Sequence, residues 1–333
     1  MSRSTWSRPQ RWKNDAIYFA ARHAIELGLA VPRGWLPALG GALGRMAHAS
    51  LADARRHTLE NLALVYPDLD AGARIAFARD VFRSLGEDLT DTLALLDPTE
   101  SPDRTLGITS ESIATLESAL GEGRGVVYVT CHLGPWERMA ALLARLGFPI
   151  TTLARESYDS RFHALVYERL RTARNVETIY RADPRAPFAI VRALKRGRVL
   201  GFLVDLVNPR SSSSTARVEW LGQPSQIALG PARLALRTAC PIVIGTPAPG
   251  TSSAHLDIRV SRLATSDLEL SLAGEAALCQ RIADALSERI RALPAHWPWM
   301  HPSFPRPAGA PKAAPSNTNQ ERLTAVVPAN FVW

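Results

Sequence analysis

The segment Val126–Glu137, V-V-Y-V-T-C-H-L-G-P-W-E, constrains this chain more than any other. A run of strand formers ends at Thr130, a Gly-Pro turn follows, and Trp136-Glu137 open an apolar helical pattern through Met139, Leu142, Leu143 and Leu146. A strand, a sharp turn and a helix in that order are the unit of an open α/β sheet, and such sheets keep their chemistry at the C-terminal ends of the strands. His132 stands at that end. Glu137, in the first helical turn, is close enough in sequence to fold back toward the imidazole, fix its tautomer and raise its basicity. The expected product is a general base for a hydroxyl. A packed histidine and an ordinary first-turn glutamate would give the same letters.

The rest of the chain agrees with such a sheet. Val126–Thr130, Ile150–Ala154, Leu200–Val204 and Pro241–Thr246 read as strands, with Ala216–Leu221 and His255–Val260 as further ones. Trp136–Leu146, Arg161–Arg174, Pro187–Lys195, Ala228–Arg237 and Glu275–Leu293 read as helices. Residues 1–110 read as helical, with one helix over Asp53–Val65 and another over Ala71–Leu96. The expectation is an α/β fold with a mixed central sheet flanked by helices: a helical, membrane-proximal region over 1–110, an α/β domain over 111–305, and a disordered Pro/Ala/Ser-rich tail over 306–333.

Several chemistries lack their letters. There is no G-x-S-x-G elbow, no H-E-x-x-H and no Cys-x-x-Cys pair, so neither a serine nucleophile nor zinc is expected. The three cysteines, Cys131, Cys240 and Cys279, read as reduced thiols, and Cys131 should point to the opposite sheet face from its neighbour His132. Without a protein nucleophile, the substrate has to supply the attacking hydroxyl. The formal charge is +8 and only Lys13, Lys195 and Lys312 are lysines, so the positive charge is mostly arginine, suited to phosphate and carboxylate. No nucleic-acid module is legible, and no nucleic-acid partner is expected. The first 60 residues hold nine Arg or Lys against four Asp or Glu. On a helical wheel Ile17, Ala21, Ala24, Ile25 and Gly28 face away from Arg22, His23 and Glu26, which fits a helix on an anionic membrane or one packed on the core. The longest uncharged run nearby, Gly34–Gly44, is too short to span a bilayer.

Taken together, several blocks resemble the late acyltransferases of bacterial lipid A biosynthesis, the lauroyl/myristoyl transferase group of the lysophospholipid acyltransferase superfamily. His132-Leu-Gly-Pro-Trp-Glu137 resembles the H-x-x-x-x-[DE] block. Asn61-Leu-Ala-Leu-Val-Tyr-Pro67 resembles N-L-x-x-x-[FY]-P. Val199–Asp205 resembles the strand that ends in Asp, Trp220–Pro224 with Gly230–Ala235 the F-x-G-x-P…G-x-A-R-L-A block, and Trp297-Pro-Trp-Met-His301 the closing W-x-W-x-H. The resemblance covers about residues 40–305. It departs where Leu206-Val-Asn-Pro follows Asp205, with Ser211–Ser214 in a polar loop, and where Pro302-Ser303-Phe304 replaces basic residues.

The resemblance implies a glycerolipid-acyltransferase-like fold and transfer of a fatty acyl chain from a thioester on acyl carrier protein or coenzyme A to a hydroxyl of a lipid A precursor or related glycolipid. It implies no cofactor, and a place on the cytoplasmic face of the inner membrane, peripheral or shallowly anchored. It makes His132 the base and Glu137 its orienting partner. Arg155, Arg233 and Asp205 become substrate-binding candidates, and backbone amides near Gly134 become donors to the developing oxyanion. A non-catalytic lipid-binding relative, a hydrolase, and a transferase with another lipid acceptor are the competing expectations.

Overall fold

A computed structural model describes residues 6–206, 215–250, 255–301 and 304. Four helices come first: α1 (Arg8–Ala30), α2 (Leu36–Ser50), α3 (Ala52–Val65) and α4 (Ala71–Ala94). Then strands and helices alternate: β1 (Leu106–Ile108), α5 (Ser110–Gly121), β2 (Val126–Thr130), α6 (Trp136–Arg145), β3 (Ile150–Ala154), a one-turn α7 (Glu168–Leu170), β4 (Glu177–Tyr180), α8 (Ala186–Lys195) and β5 (Val199–Leu203). A hairpin of β6 (Thr215–Trp220) and β7 (Gln223–Ala228) precedes α9 (Gly230–Thr238), β8 (Ile242–Pro249), β9 (Leu256–Arg262) and α10 (Leu272–Ala292).

The seven-stranded sheet runs β1-β9-β8-β2-β5-β3-β4, parallel throughout except between β8 and β9. The expected α/β architecture with a mixed sheet is what forms. All five residues of β2 are buried, as a β-branched run covered on both faces should be. Alternation divides them: Val127 and Val129 join the larger core, with α3, α4, α9 and α10, while Val126 and Tyr128 join a second core with α5 and α6. The N-terminal helices therefore share the sheet's main core through Leu62, Ala78 and Val81.

Some expected elements move. The helix expected over Arg161–Arg174 is a π turn (His163–Tyr167), then α7, then a 3-10 turn (Thr172–Arg174). The break falls at Arg171, whose backbone (φ −120°, ψ −68°) leaves the helical region while its side chain reaches a buried carboxylate on α6. The strands β1, β4 and β7 and the helix α5 have no counterpart among the expected elements; β7 opens Gln-Pro, which reads as a turn, yet an edge strand tolerates that proline. The hairpin turn is Leu221-Gly222, both at positive φ. The first helix lays Ile17, Ala21 and Ile25 on Leu95, Leu96 and Phe162, the core alternative for its apolar side. No helix among the described residues is long and apolar enough to cross a membrane. The Ser211–Ser214 loop and the 306–333 tail lie outside the described residues.

Candidate active site

Parallel register builds the centre of the site. Thr130 of β2 pairs with Leu203 of β5, and the Val204 amide still donates to the Thr130 carbonyl at 3.2 Å. Two residues further along each chain come His132 and Asp205. His132 Nδ1 lies 2.8 Å from Asp205 Oδ1, and the His132 backbone amide donates to Oδ2 at 3.0 Å. The Trp297 indole N–H donates to the same Oδ2 at 3.0 Å. Burial works to raise the Asp205 pKa, but the His132 charge, its two hydrogen bonds and the Trp297 donor outweigh it and hold the carboxyl below its ordinary value. When the imidazole is neutral, its Nδ1–H donates to the ionised Asp205, which leaves the lone pair on Nε2. That atom is buried and has no hydrogen-bond partner.

This corrects the expected pairing. No hydrogen bond joins His132 to Glu137. Both Glu137 oxygens are taken by Arg171, Nη2 at 2.6 Å and Nε at 3.1 Å, in a pair whose side chains are each about 4% exposed. The reason is geometric: strand register sets Asp205 beside the imidazole, whereas the first turn of α6 carries Glu137 across to the broken helix around α7. The next residue, Arg138, is fully buried and anchors α6 to Asp91 and Glu100 at 2.6 and 3.1 Å.

The same alternation that sends Tyr128 and Thr130 to one face of β2 leads on to His132. On that face, between the sheet and α6, lies a narrow apolar cavity of about 40 Å³. Tyr128, Met139, Leu143, Ile150, Val199 and Leu203 line it, and Trp136, Glu137 and Arg171 border it. The Trp136 ring meets the His132 ring edge-on, 4.9 Å between centroids.

Other candidates divide. Gly134 has φ +61°, a conformation that suits glycine. Its N–H donates to the His296 carbonyl at 3.0 Å, and the Leu133 and Trp136 amides are likewise bonded, to Cys131 O and Gly134 O. The expected oxyanion donors around Gly134 are thus occupied. Arg233 is not brought to the site: its guanidinium grips both oxygens of Glu275 at 3.0–3.1 Å and ties α9 to α10. Arg155 is exposed directly after β3, beside Arg181 after β4, since Ala154 and Tyr180 are in register. Neither arginine has a carboxylate partner among the described residues. Cys131 sits in the core opposite, its thiol pushed well up by burial and by Asp205, as expected of a non-nucleophile. Among the described residues no three His, Cys, Asp or Glu side chains gather as metal ligands would.

Residues far from the strand–turn–helix unit hold the centre from behind. The segment after α10 supplies the His296 carbonyl to Gly134 and the Trp297 indole to Asp205. The Asn61 amide of α3 donates to the Trp299 and His301 carbonyls at 2.6 and 2.8 Å. Two blocks that stand far apart in the sequence, Asn61–Pro67 and Trp297–His301, are thereby one clamp. His296 Nδ1 also meets Asp88 Oδ2 of α4 at 2.7 Å.

Comparison with known proteins follows these features. A family model described as bacterial lipid A biosynthesis acyltransferase matches residues 7–306. The chain is 24% identical over 205 residues to a phosphatidylinositol mannoside acyltransferase of Mycobacterium tuberculosis (strain CDC 1551 / Oshkosh), covering 61% of this chain and 60% of that protein. It is 26% identical over 194 residues to a protein of the same name from Mycolicibacterium smegmatis (strain ATCC 700084 / mc(2)155), covering 57% of this chain and 60% of that one. The alignments thus span about 60% of the length of these relatives.

Proposed function

Since the chain belongs to the bacterial lipid A biosynthesis acyltransferase family, we propose that it transfers a fatty acyl chain from a thioester to a hydroxyl of a lipid acceptor, with His132 as general base. The observation that carries this reading is the buried imidazole with Nδ1 bound by Asp205 and Nε2 unpartnered, its ring against Trp136 at the border of an apolar cavity. His132 Nε2 takes the acceptor's hydroxyl proton as its oxygen bonds to the thioester carbon. Asp205 keeps the tautomer and stabilises the imidazolium. As the tetrahedral species collapses, the C–S bond breaks and the thiolate takes the proton from Nε2. The cavity under Trp136 marks where the acyl chain enters, opening further as it binds, and Glu137 with Arg171 forms its polar border.

The acceptor in this reading is a glycolipid, a lipid A precursor or a phosphatidylinositol mannoside-like molecule, and the donor is acyl carrier protein or coenzyme A. The Arg155–Arg181 pair suits a phosphate of either substrate. Trp12, Phe19, Leu27, Trp35 and Met46, exposed on α1, α2 and the turn between them among many arginines, suit the surface of an anionic membrane. The site then works at the cytoplasmic face of the inner membrane.

Mass spectrometry of lipid extracts from the source organism tests this, with the gene removed and then restored as wild type or as His132→Ala. We expect one lipid to lose a single acyl group and to regain it only with wild type. A species restored equally by His132→Ala, or no acylated species changed at all, would exclude the mechanism and leave lipid binding without turnover. Free fatty acid released without an acylated product would make it a hydrolase.

A further inference from the structure

We propose that the Trp136 indole N–H is the donor that stabilises negative charge on the thioester carbonyl oxygen, an assignment that rests on the acyl-transfer reading above. A transition state of this kind needs a hydrogen-bond donor aimed at the developing oxyanion. The turn after His132 does not offer one. The Leu133 amide is bonded to Cys131 O at 2.8 Å, Gly134 to His296 O at 3.0 Å and Trp136 to Gly134 O at 3.0 Å, and Pro135 has no N–H. Trp136 Nε1 is different: it is buried and has no acceptor. A buried donor without a partner costs about 1–3 kcal/mol and calls for an explanation.

Position supplies it. The Trp136 ring touches the imidazole edge-on, 4.9 Å between centroids, and also borders the apolar cavity. A thioester whose chain enters at that cavity and whose carbonyl carbon is attacked by a hydroxyl held at His132 Nε2 brings its carbonyl alongside this ring. Indoles of Trp6 and Trp220 also lack an acceptor, but neither ring meets His132 or the cavity. A mere wall between base and cavity could be phenylalanine and would hide no N–H. In the reaction, the carbonyl π electrons move onto oxygen as the acceptor oxygen bonds to carbon and Nε2 takes its proton. The indole donates a hydrogen bond without giving up its proton. When the carbonyl re-forms, the C–S bond breaks and the thiolate leaves with the proton from Nε2.

The test is steady-state kinetics of the full-length protein with palmitoyl-coenzyme A and palmitoyl-acyl carrier protein, using lipid extract of the source organism as acceptor. Wild type, His132→Ala and Trp136→Phe are compared, and a protein carrying benzothienylalanine at 136 matches the indole's shape without its N–H. Trp136→Phe and the benzothienyl protein should each lose about 10²–10³-fold in kcat with the donor KM nearly unchanged. Wild-type kcat in the benzothienyl protein overturns the assignment even if Trp136→Phe does not fold. So does a rise in KM alone in either variant, which would make the ring a wall. An inactive His132→Ala beside a fully active benzothienyl protein overturns this inference and leaves the acyl-transfer reading standing. A wild type that transfers no acyl group overturns both.

Discussion

Asp205 and Glu137 are both buried carboxylates beside the reacting centre, yet they answer to different partners. Asp205 accepts from His132 twice and from Trp297; Glu137 accepts twice from Arg171. Their amides should therefore fail differently. A carboxamide in place of the Asp205 carboxylate would offer Nδ1 of His132 either a competing donor or a weaker acceptor, and the imidazole would lose its working tautomer. We expect Asp205→Asn to lower kcat by about 10³–10⁴-fold while unfolding near the wild-type temperature. Glu137→Gln removes one partner of a buried pair and leaves the Arg171 charge uncompensated. It should cost about 3–5 kcal/mol of stability and less activity than Asp205→Asn. Rates and thermal midpoints measured side by side decide it; the reverse pattern would return Glu137 to the imidazole.

Between elements, α2 packs closely on α4. Gly40 and Gly44 of α2 and Gly86 of α4 bring the two backbones together: a Cβ on Gly44 would strike the Phe82 carbonyl, and one on Gly86 the Gly40 carbonyl. Thr90 adds a hydrogen bond to Leu36 O at 3.0 Å. Alanine normally strengthens a helix by about 1 kcal/mol over glycine. At Gly44 it should instead lower stability by about 1–3 kcal/mol, because the clash is with main chain that cannot rotate away. Gly28→Ala in α1, with open space around it, should be neutral or slightly stabilising. Urea unfolding of both variants checks the contrast, and equal effects would mean the two helices part easily. The same scale shows what sequence could and could not convey. Periodicity and β-branched runs locate β2, β3 and the helices α3, α4, α6, α8 and α9 to within a residue or two. Strand order is carried by no local pattern, and it is the order β2-β5 that brings His132 to Asp205. Asp205 is therefore visible in the sequence as a strand-end carboxylate but not as the imidazole's partner, while Glu137, near in sequence, looks the better candidate. Arg171 is hidden inside an apparently continuous helical pattern whose break shows only once its guanidinium is seen on Glu137.

For the molecule as a whole, the clamp after α10 couples the site to global stability through two histidines that titrate in opposite senses. His301 has its imidazole pushed down to about 4, by burial first and by the nearby His132 second, with Asp205 pulling the other way. An unfolded histidine titrates near 6.5, so between about pH 6.5 and 4 the unfolded chain holds a proton that the folded one refuses. Stability from this group is full above the unfolded value and drains away as pH falls, by at most about 3 kcal/mol. For His296, burial alone would lower the pKa, but the Asp88 charge and hydrogen bond overcome it and raise the value above the ordinary one. Its contribution is present below the unfolded value and is lost as pH rises through the folded one. Urea unfolding of wild type, His301→Gln and His296→Gln between pH 7 and 5 separates these terms, with the His296 comparison made in an Asp88→Asn background as well, because the Asp88 carboxylate titrates with its partner. We expect the loss of stability on acidification to be shallower than wild type in His301→Gln and steeper in His296→Gln. Parallel pH profiles in all three would show that the clamp carries neither charge effect, and that only its hydrogen bonds to Gly134, Asp205 and Asn61 hold the site against the body of the protein.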